Sequence, residues 1–488
     1  MVTLDKEDHY EHLGVPTGYY YGKSAETTID KMHKDLDKIN DSLLAPWQKA
    51  DAVRTFILPC IGFHLKNGEV EKKKVLIPFD KKLKKYAKSW LNLPSRASPE
   101  LLYLPNSMGG LGLIETKTLA DIMQLVHAVQ LLDSPDLGAM SAELVTKAAK
   151  LKLRRPPSEQ ETAQYLNQKK DGDFYTNSTD AKNVWSRLRL ATGRLRDSDK
   201  LDIEWRWNED EGRVRLHVQG EVVNKKSCER ALKKAAQEAQ LASLSAKKSQ
   251  GKTYQVTSRQ PASNNFMRDG RFLRFADWRF VHRARLDLLA LNGCNRSRGH
   301  VDKRCRKCGY ALESVAHTLN HCHAHSHAIQ LRHNAVLDRL MNAYKPLDDD
   351  KIYVNQKIPG TDGQLRPDYT IINDRLKTVT IIDVTMPFEN GDVSIFEDAR
   401  REKERKYLPI LDKYSTDGYD TFLGAWMVGP LGGWDAANND IQRRLKISVK
   451  YGQLMRLLMV ADSIRWSRDI YVEHVTGQRQ YKLDNNPQ

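Results

Sequence analysis

The chain has 488 residues, enough for roughly three domains of about 150 residues each. Lysine and arginine total 78 against 62 aspartates and glutamates, and the net charge of +16 favours nucleic acid as a partner over an anionic membrane surface. The sequence contains no run of about 18 apolar residues, so no membrane-spanning helix is expected.

The first region, 1–149, is predicted to be mainly helical. Residues 24–45 carry apolar side chains at helical spacing, and the pattern continues in WQKADAVRTFILPCIGFHL (47–65). A further apolar helix is predicted from about Thr118 to Leu132. The Gly- and Pro-punctuated LLYLPNSMGGLGL (101–113) lies between them and is predicted to be a turn.

The remaining regions differ in composition. Residues 150–262 are polar and charged, with helical signals such as CERALKKAAQEAQLASLSAKK, and are predicted to be a linker of helices and loops. Region 263–345 contains the basic, aromatic FLRFADWRFVHRARLDLLAL (272–291). In region 346–488 the first strand-like sequences are predicted, all after Lys351: DYTIIN, TVTIIDV and FLGAWMVG. A helix, LKISVKYGQLMRLLMVADSIRW, is predicted at the C-terminal end.

Three of the six cysteines crowd into residues 305–322, which favours a metal site in a reducing compartment over a disulfide scaffold. A C-x2-C-x8-H-x4-C array supplies four candidate zinc ligands: Cys305, Cys308, His317 and Cys322. Two cysteines separated by two residues can bind one zinc ion from a tight turn, and the His and Cys can complete a tetrahedral site. Such a closed site is expected to fold the segment and not to catalyse.

Two alternatives remain for this array. Ordinary buried thiols beside surface histidines would give the same sequence without a metal. The fourth ligand is also less defined than the cysteine pair, because further histidines crowd the far end: His321, His323, His325 and His327.

Two aspartates flank a predicted hairpin, RPDYTIINDRLKTVTIIDVT (366–385). With a turn at 374–375, or a loop at 373–376, Asp368 is expected opposite Ile381 and Asp383 on the diagonal of the same face. Two carboxylates and phosphate oxygens are typical ligands of Mg²⁺, which can activate a bound water. The alternative is a pair of aspartates satisfied by local backbone N–H groups, and the hairpin alone does not decide between the two.

The segment SIFEDARREKERKYLPILDKY (394–414) is predicted to be a helix with one apolar stripe. Lys403 interrupts this stripe, and Lys406 and Tyr407 share part of the same face. A lysine on such a face more often extends its amine to solvent. Near two aspartates, however, a basic group could position or activate water. Lys403, Lys406 and Tyr407 are therefore candidate catalytic residues beside Asp368 and Asp383.

Together these motifs resemble the C-terminal part of the polyproteins of site-specific non-long-terminal-repeat retrotransposons, which carry a restriction-like endonuclease and typically insert into ribosomal RNA genes. In the second half the resemblance is carried by the zinc array, by Arg366-Pro367-Asp368 followed by Asp383, and by A-x3-K-x2-K-Y at 399–407. Three N-terminal segments resemble the end and thumb of that family's reverse transcriptase: HLGVPTG (12–18), LLAPWQKADAVRTFILP (43–59) and LNLPSRASPELLYLPNSMGGLGL (91–113). The resemblance is weakest through 150–262.

The resemblance implies a multidomain fold with a mainly α-helical thumb and linker, a small zinc knuckle and a C-terminal α/β domain of the PD-(D/E)xK type. It implies that Asp368 and Asp383 bind Mg²⁺ in an endodeoxyribonuclease of the nucleus. This enzyme would nick double-stranded ribosomal DNA to prime reverse transcription of the element RNA during transposition. Thr385 stands where restriction enzymes carry lysine, and Lys403 or Lys406 matches the family's lysine on the following helix. The zinc segment (residues 305–322) and the basic helices before it are expected to contact nucleic acid.

The paired acids of a reverse transcriptase are not found. The nearest match, Phe275-Ala276-Asp277-Trp278, has one acid, and LDDD (347–350) lacks the aromatic residue. The chain alone is therefore expected to lack polymerase activity and to be a fragment of a longer polyprotein, a decayed copy or a host-retained piece. Two alternatives to a nuclease remain open: an inactive nucleic-acid-binding remnant and an unrelated zinc-stabilised interaction protein.

Overall fold

The structure is a computed structural model that describes residues 9–12, 15–18, 25–68, 70–176, 183–294, 302–359, 361, 363–391 and 394–482. Leu13 and Gly14 of HLGVPTG, and Ser24 at the start of the first predicted helix, lie outside the described residues. The chain divides into two compact units. Unit 1 takes its residues from 1–90, 99–105 and 111–243, and unit 2 from 91–98, 106–110 and 244–488.

Unit 1 is mainly helical. Its elements in chain order are β1 (His9–His12), β2 (Val15–Gly18), α1 (Glu26–Asp41), α2 (Pro46–Ala52), α3 (Gly62–Asn67), α4 (Ile77–Trp90), α5 (Glu100–Tyr103), α6 (Thr116–Leu132), α7 (Gly138–Leu153), α8 (Glu159–Asn167), α9 (Val184–Asp197), β3 (Ile203–Asn208), β4 (Arg213–Val218), β5 (Glu221–Val222) and α10 (Cys228–Ser245), whose last two residues fall in unit 2. The helices predicted at 24–45 and from Thr118 are confirmed as α1 and α6.

A three-stranded sheet, β3-β4-β5, lies within the region expected to contain only helices and loops. The prediction that strands first appear after Lys351 is wrong. Buried Trp205 and Leu216 alternate with more exposed neighbours and pair across β3 and β4. This period of two gives the sheet one buried face. The dense charges of IEWRWN and RVRLHV, which occupy the other face, obscured the alternation.

Unit 2 combines helices with a four-stranded sheet. Its elements are α11 (Lys252–Thr257), α12 (Phe266–Asp269), α13 (Phe275–Arg285), α14 (Ser326–Ala343), β6 (Asp350–Val354), β7 (Tyr369–Asn373), β8 (Thr378–Thr385), α15 (Ile395–Thr416), β9 (Asp420–Met427), α16 (Asn438–Arg444) and α17 (Val449–Thr476). The strand-like sequences after Lys351 and the C-terminal helix are confirmed as β7, β8, β9 and α17.

The strands of this sheet follow the order β6-β7-β8-β9. β8 pairs antiparallel with β7 and parallel with β9, and α15 provides the crossover that a parallel pair requires. On one face of the sheet, Tyr407 and Ile410 of α15 pack with Val379 and Ile381 of β8. Since side chains alternate along a strand, Asp383 lies on the same face as Ile381, at the end of β8 beside α15.

The register of the β7–β8 hairpin differs from the predicted one. Asn373 pairs with Thr378, so the turn comprises 374–377. Asn373 Oδ1 accepts the N–H of Leu376 at 2.8 Å, and Lys377 adopts a positive φ of 50°, which together close this turn. Ile381 therefore pairs with Thr370 and not with Asp368. One step beyond the pair Tyr369–Ile382, the register places Asp368 directly opposite Asp383.

Candidate active site and metal centre

The five residues predicted to carry the chemistry line one open groove in unit 2, with a volume of about 750 Å³: Asp368, Asp383, Lys403, Lys406 and Tyr407. β8 and α15 supply two walls of the groove, and α14 and the end of the zinc segment complete it. The structure therefore brings together a set that the sequence distributes over about 40 residues.

Asp383 is buried and receives three donors. Tyr407 donates its hydroxyl to Oδ1 at 2.7 Å, while Lys403 Nζ lies 2.8 Å and Thr385 Oγ1 3.2 Å from Oδ2. A buried carboxylate needs such partners, because burial without them is costly. Position 385 thus supplies a threonine hydroxyl to Asp383, and the lysine that contacts this carboxylate comes from α15.

Lys406 contacts Tyr407, which in turn contacts Asp383. Lys406 Nζ donates to the Tyr407 hydroxyl at 3.1 Å, and among the described residues Lys406 forms no hydrogen bond or ion pair with Asp383. Burial, followed by the hydrogen bond and charge of Asp383, raises the pKa of Tyr407. Tyr407 therefore remains a hydroxyl donor at neutral pH, and Lys406 acts on Asp383 only through it.

Asp368 accepts two hydrogen bonds on the same oxygen. Oδ2 lies 2.7 Å from the N–H of Val384 and 3.1 Å from His333 Nε2, and among the described residues no hydrogen bond falls on Oδ1. Burial disfavours the charged form of His333, but the hydrogen bond and charge of Asp368 outweigh it, so the pKa of His333 lies above its ordinary value. His333 was not predicted from the sequence, because nothing local to α14 indicates a partner 35 residues away.

The predicted zinc ligands form one cluster. The ligand atoms of Cys305, Cys308, His317 and Cys322 all lie within 4.8 Å of one another. The Cys305 and Cys322 sulfurs are 3.9 Å apart, close to the roughly 3.8 Å that separates two sulfurs in a tetrahedron with Zn–S bonds of about 2.3 Å. Three thiols and one imidazole form a donor set suited to zinc, so this cluster could hold a metal such as zinc.

A buried polar network borders this cluster and was also missed. Glu313 accepts from Arg306 and from His474 of α17, whose Nε2 lies 2.8 Å from the carboxylate. Burial alone would raise the pKa of Glu313, but Arg306 and the other hydrogen bonds hold it at about 2. Among the four histidines that crowd the end of the array, His325 is buried, and its Nε2 lies 2.9 Å from Nδ1 of His474. The other three are exposed: His321, His323 and His327.

The zinc segment also forms part of the groove. Its last helical turn, His317–His321, carries one of the cluster's ligands, and Asn320 on that turn donates to the carbonyl of Met386 at 2.8 Å. Buried Arg332 of α14 donates to Asn320 and to Ser467 of α17. One hydrogen bond, from Asn320 to Met386, thus connects the turn that carries His317 to the residue that follows β8.

These features define a helix-rich α/β protein with two aspartates in a groove and a Cys/His cluster on a segment that forms part of one wall of this groove. Within the part of the chain that the structure describes, no helix combines the length and apolar character needed to cross a membrane.

A family model and a nematode protein match large parts of this chain. Residues 143–288 match a family model described as the T26G10.4 domain. A Caenorhabditis elegans protein named "Uncharacterized protein T26G10.4" is 28% identical over 316 residues, which cover 59% of this chain and 87% of that protein. The match to the family model includes the whole of region 150–262, where the resemblance to retrotransposons is weakest.

The chain is also weakly similar to retrotransposon proteins. The Pol polyprotein of the type-2 retrotransposable element R2DM from Drosophila melanogaster is 29% identical over 126 residues, 25% of this chain and 11% of the polyprotein. The polyprotein of the type-1 element R2 from Bradysia coprophila is 28% identical over 126 residues, 14% of its length. The similarity is partial, and it relates this chain distantly to retroelement proteins.

Proposed function

We propose that this chain is a metal-dependent endodeoxyribonuclease derived from a retroelement polyprotein, with the groove of unit 2 as its active site. The observation that carries the proposal is the convergence of Asp368, Asp383 and Lys403 in one groove. A hairpin that carries two acids, followed by a helix that carries lysine and returns to a parallel strand, is consistent with a PD-(D/E)xK-type core. The distant similarity to R2 polyproteins supports the same class.

Asp368 and Asp383 would hold Mg²⁺, because opposed carboxylates offer the hard oxygen ligands that this ion prefers. The donor set fits, since the Oδ1 of Asp368 accepts no hydrogen bond among the described residues. When bound, the ion supplies an activated water and neutralises charge on the attacked phosphate.

The neighbouring residues have separate tasks in this proposal. Lys403 orients the Asp383 carboxylate through its 2.8 Å contact and provides positive charge at the groove for a phosphate. Tyr407 fixes the other oxygen of Asp383 at 2.7 Å, which restricts the carboxylate to one orientation. Lys406 supports Tyr407 from the solvent side.

A second candidate function is that of an inactive nucleic-acid-binding remnant. It is favoured by the ion pair between Lys403 and Asp383, since Lys403, Thr385 and Tyr407 already engage both oxygens of this carboxylate. A cation would have to compete with the ammonium group for Oδ2. The net charge of +16 serves binding in either case.

The proposed substrate is double-stranded target DNA, with ribosomal RNA genes as the preferred target and element RNA as a second partner. Both lie in the nucleus, which is the proposed compartment. Zinc is proposed as the structural metal at the Cys/His cluster. The lack of polymerase activity in this chain stays a prediction.

The proposal is tested by incubating supercoiled plasmid, and separately a ribosomal DNA fragment, with the protein and Mg²⁺. We expect nicking by the wild type and none by Asp383→Asn, which removes one charge and changes little volume. DNA binding by both proteins without nicking by either would reject the nuclease and favour the binding remnant. A failure to bind either DNA would favour an unrelated zinc-stabilised interaction protein.

A further inference from the structure

We propose that His333 is a positioning residue that holds Asp368 in place opposite Asp383. The inference rests on the proposed function in one respect, namely that these two carboxylates bind a divalent cation. It adds a residue from α14 to a site otherwise built from the β7–β8 hairpin and α15.

The contacts around His333 form a closed arrangement. Its Nε2 lies 3.1 Å from Asp368 Oδ2 and 3.0 Å from the carbonyl oxygen of Val384. Both atoms are acceptors, so Nε2 must carry a hydrogen that is shared between them. The N–H of Val384 in turn donates to the same Asp368 oxygen at 2.7 Å. The Val384 peptide and the imidazole therefore hold Asp368 Oδ2 from two sides.

This arrangement fixes one acid relative to the other. Val384 directly follows Asp383 in β8, whereas Asp368 lies just before β7, where its backbone carbonyl accepts the N–H of Asn355 at 3.1 Å. Among the described residues, the Asp368 carboxylate would without His333 be held to β8 by the Val384 N–H alone. A cation site made of two carboxylates requires a defined separation between them, and His333 supplies the second constraint.

His333 itself sits on a rigid support. Its neighbour Arg332 is buried and bonded to Ser467 of α17 and to Asn320 of the zinc segment. The other ring nitrogen, Nδ1, lies 3.3 Å from Asn334 Oδ1. The imidazole is thus held on both sides, as expected for a residue that orients a metal-binding carboxylate from behind.

The test measures Mn²⁺ binding by electron paramagnetic resonance in the zinc-loaded, full-length protein. His333→Leu removes the donor at similar volume, and we expect Mn²⁺ to bind at least about ten-fold more weakly than to the wild type. His333→Gln can place an amide N–H near the position of Nε2, and we expect it to retain affinity within about three-fold. His327→Ala, an exposed histidine on the same helix, is the matched control and should leave binding unchanged.

Three outcomes would overturn the inference. They are wild-type affinity in a folded His333→Leu protein, equal losses in the Leu and Gln variants, and no Mn²⁺ binding by the wild type. If His333→Leu does not fold, His333→Asn replaces it, because its shorter amide cannot reach both acceptors, and it should lose affinity in the same way. A wild type that binds Mn²⁺ in a His333-dependent manner but nicks no DNA would support this inference and reject the nuclease.

Discussion

Lys403 and Lys406 lie one turn apart on α15 but contact different atoms of the site. Lys403 Nζ pairs with Asp383 at 2.8 Å, while Lys406 Nζ contacts the Tyr407 hydroxyl at 3.1 Å. If the groove is a nuclease site, Lys403→Met should lower the nicking rate about a hundred-fold, as is typical for the loss of one charge-stabilising group. Lys406→Met should lower it by no more than about ten-fold. Single-turnover nicking with saturating Mg²⁺ measures both rates.

Lys413→Met is the matched control, since Lys413 is an exposed lysine in the last turn of the same helix. It should nick at the wild-type rate. Equal losses at Lys403 and Lys406 would contradict the assignment of the direct role to Lys403 and would point to a general loss of positive charge in the groove.

The residues predicted for this site share one property. Asp368, Asp383, Lys403 and Tyr407 lie within one stretch of about 40 residues, where spacing and helical periodicity marked them as candidates and the resemblance to a known motif set joined them into one site. His333, Asn320 and His474 come from other segments, and their roles arise only from long-range packing. A histidine in an amphipathic helix has the same local pattern whether it holds a carboxylate or faces solvent.

At the scale of elements, the loop after β9 is built around one buried acid. Glu389 accepts the N–H groups of Leu431 and Gly433, at 3.1 and 2.8 Å. A Cβ added at Gly429 would overlap the Glu389 carboxylate. Gly429→Ala should therefore displace the carboxylate, leave buried groups unpaired, and lower the free energy of unfolding of unit 2 by about 3 kcal/mol. Urea denaturation monitored by tryptophan fluorescence measures this change.

Gly62→Ala provides the comparison, because a Cβ at Gly62 meets no atom within 4 Å and its φ of −57° suits alanine. This change should be neutral or stabilise by up to about 1 kcal/mol. A Gly429→Ala protein as stable as Gly62→Ala would show that Glu389 is not confined as the structure indicates.

The two hairpins show where element-level prediction succeeded and failed. The β7 and β8 sequences were recognised as strands because they are rich in apolar, β-branched residues. Their register was not predicted correctly, because Asn373 closes a turn that the sequence alone does not distinguish from its neighbours. The β3–β4 hairpin was missed because three arginines and a glutamate occupy its more exposed face. Burial of Trp205 and Leu216 defines this sheet, and only the alternate residues carry that signal.

At the scale of the molecule, the Cys/His cluster and the groove are linked through the turn His317–His321, which carries a cluster residue and lines the groove. If the cluster holds zinc, removing the ion should loosen this turn, release Asn320 from Met386, and lower the melting temperature of unit 2 by several degrees. Proteolysis near residues 305–322 should increase at the same time. Zinc release is followed with a colorimetric chelator and unfolding by calorimetry, with Mg²⁺ restored before nicking is assayed.

Cys308→Ser should reproduce the effect of chelation, because it removes one ligand of the cluster. Cys60→Ser is the control, since Cys60 is an exposed thiol that belongs to unit 1. Zinc-free protein that melts and nicks like the zinc-loaded form would contradict the link between the cluster and the groove.

The excess of positive charge over the whole chain leads to a prediction that does not depend on cleavage. Phosphate contacts release counterions, so affinity for duplex DNA should fall steeply with salt, by about a hundred-fold between 50 and 200 mM for four contacts. Fluorescence anisotropy with labelled duplexes gives the slope for the wild type and for Asp383→Asn. The slopes should agree, because the slope counts cationic side chains that contact phosphates, and the substitution of the buried acid Asp383 removes none of them. A slope near zero would mean that the charge of +16 serves some purpose other than phosphate binding, and it would leave the zinc-stabilised interaction protein as the better description.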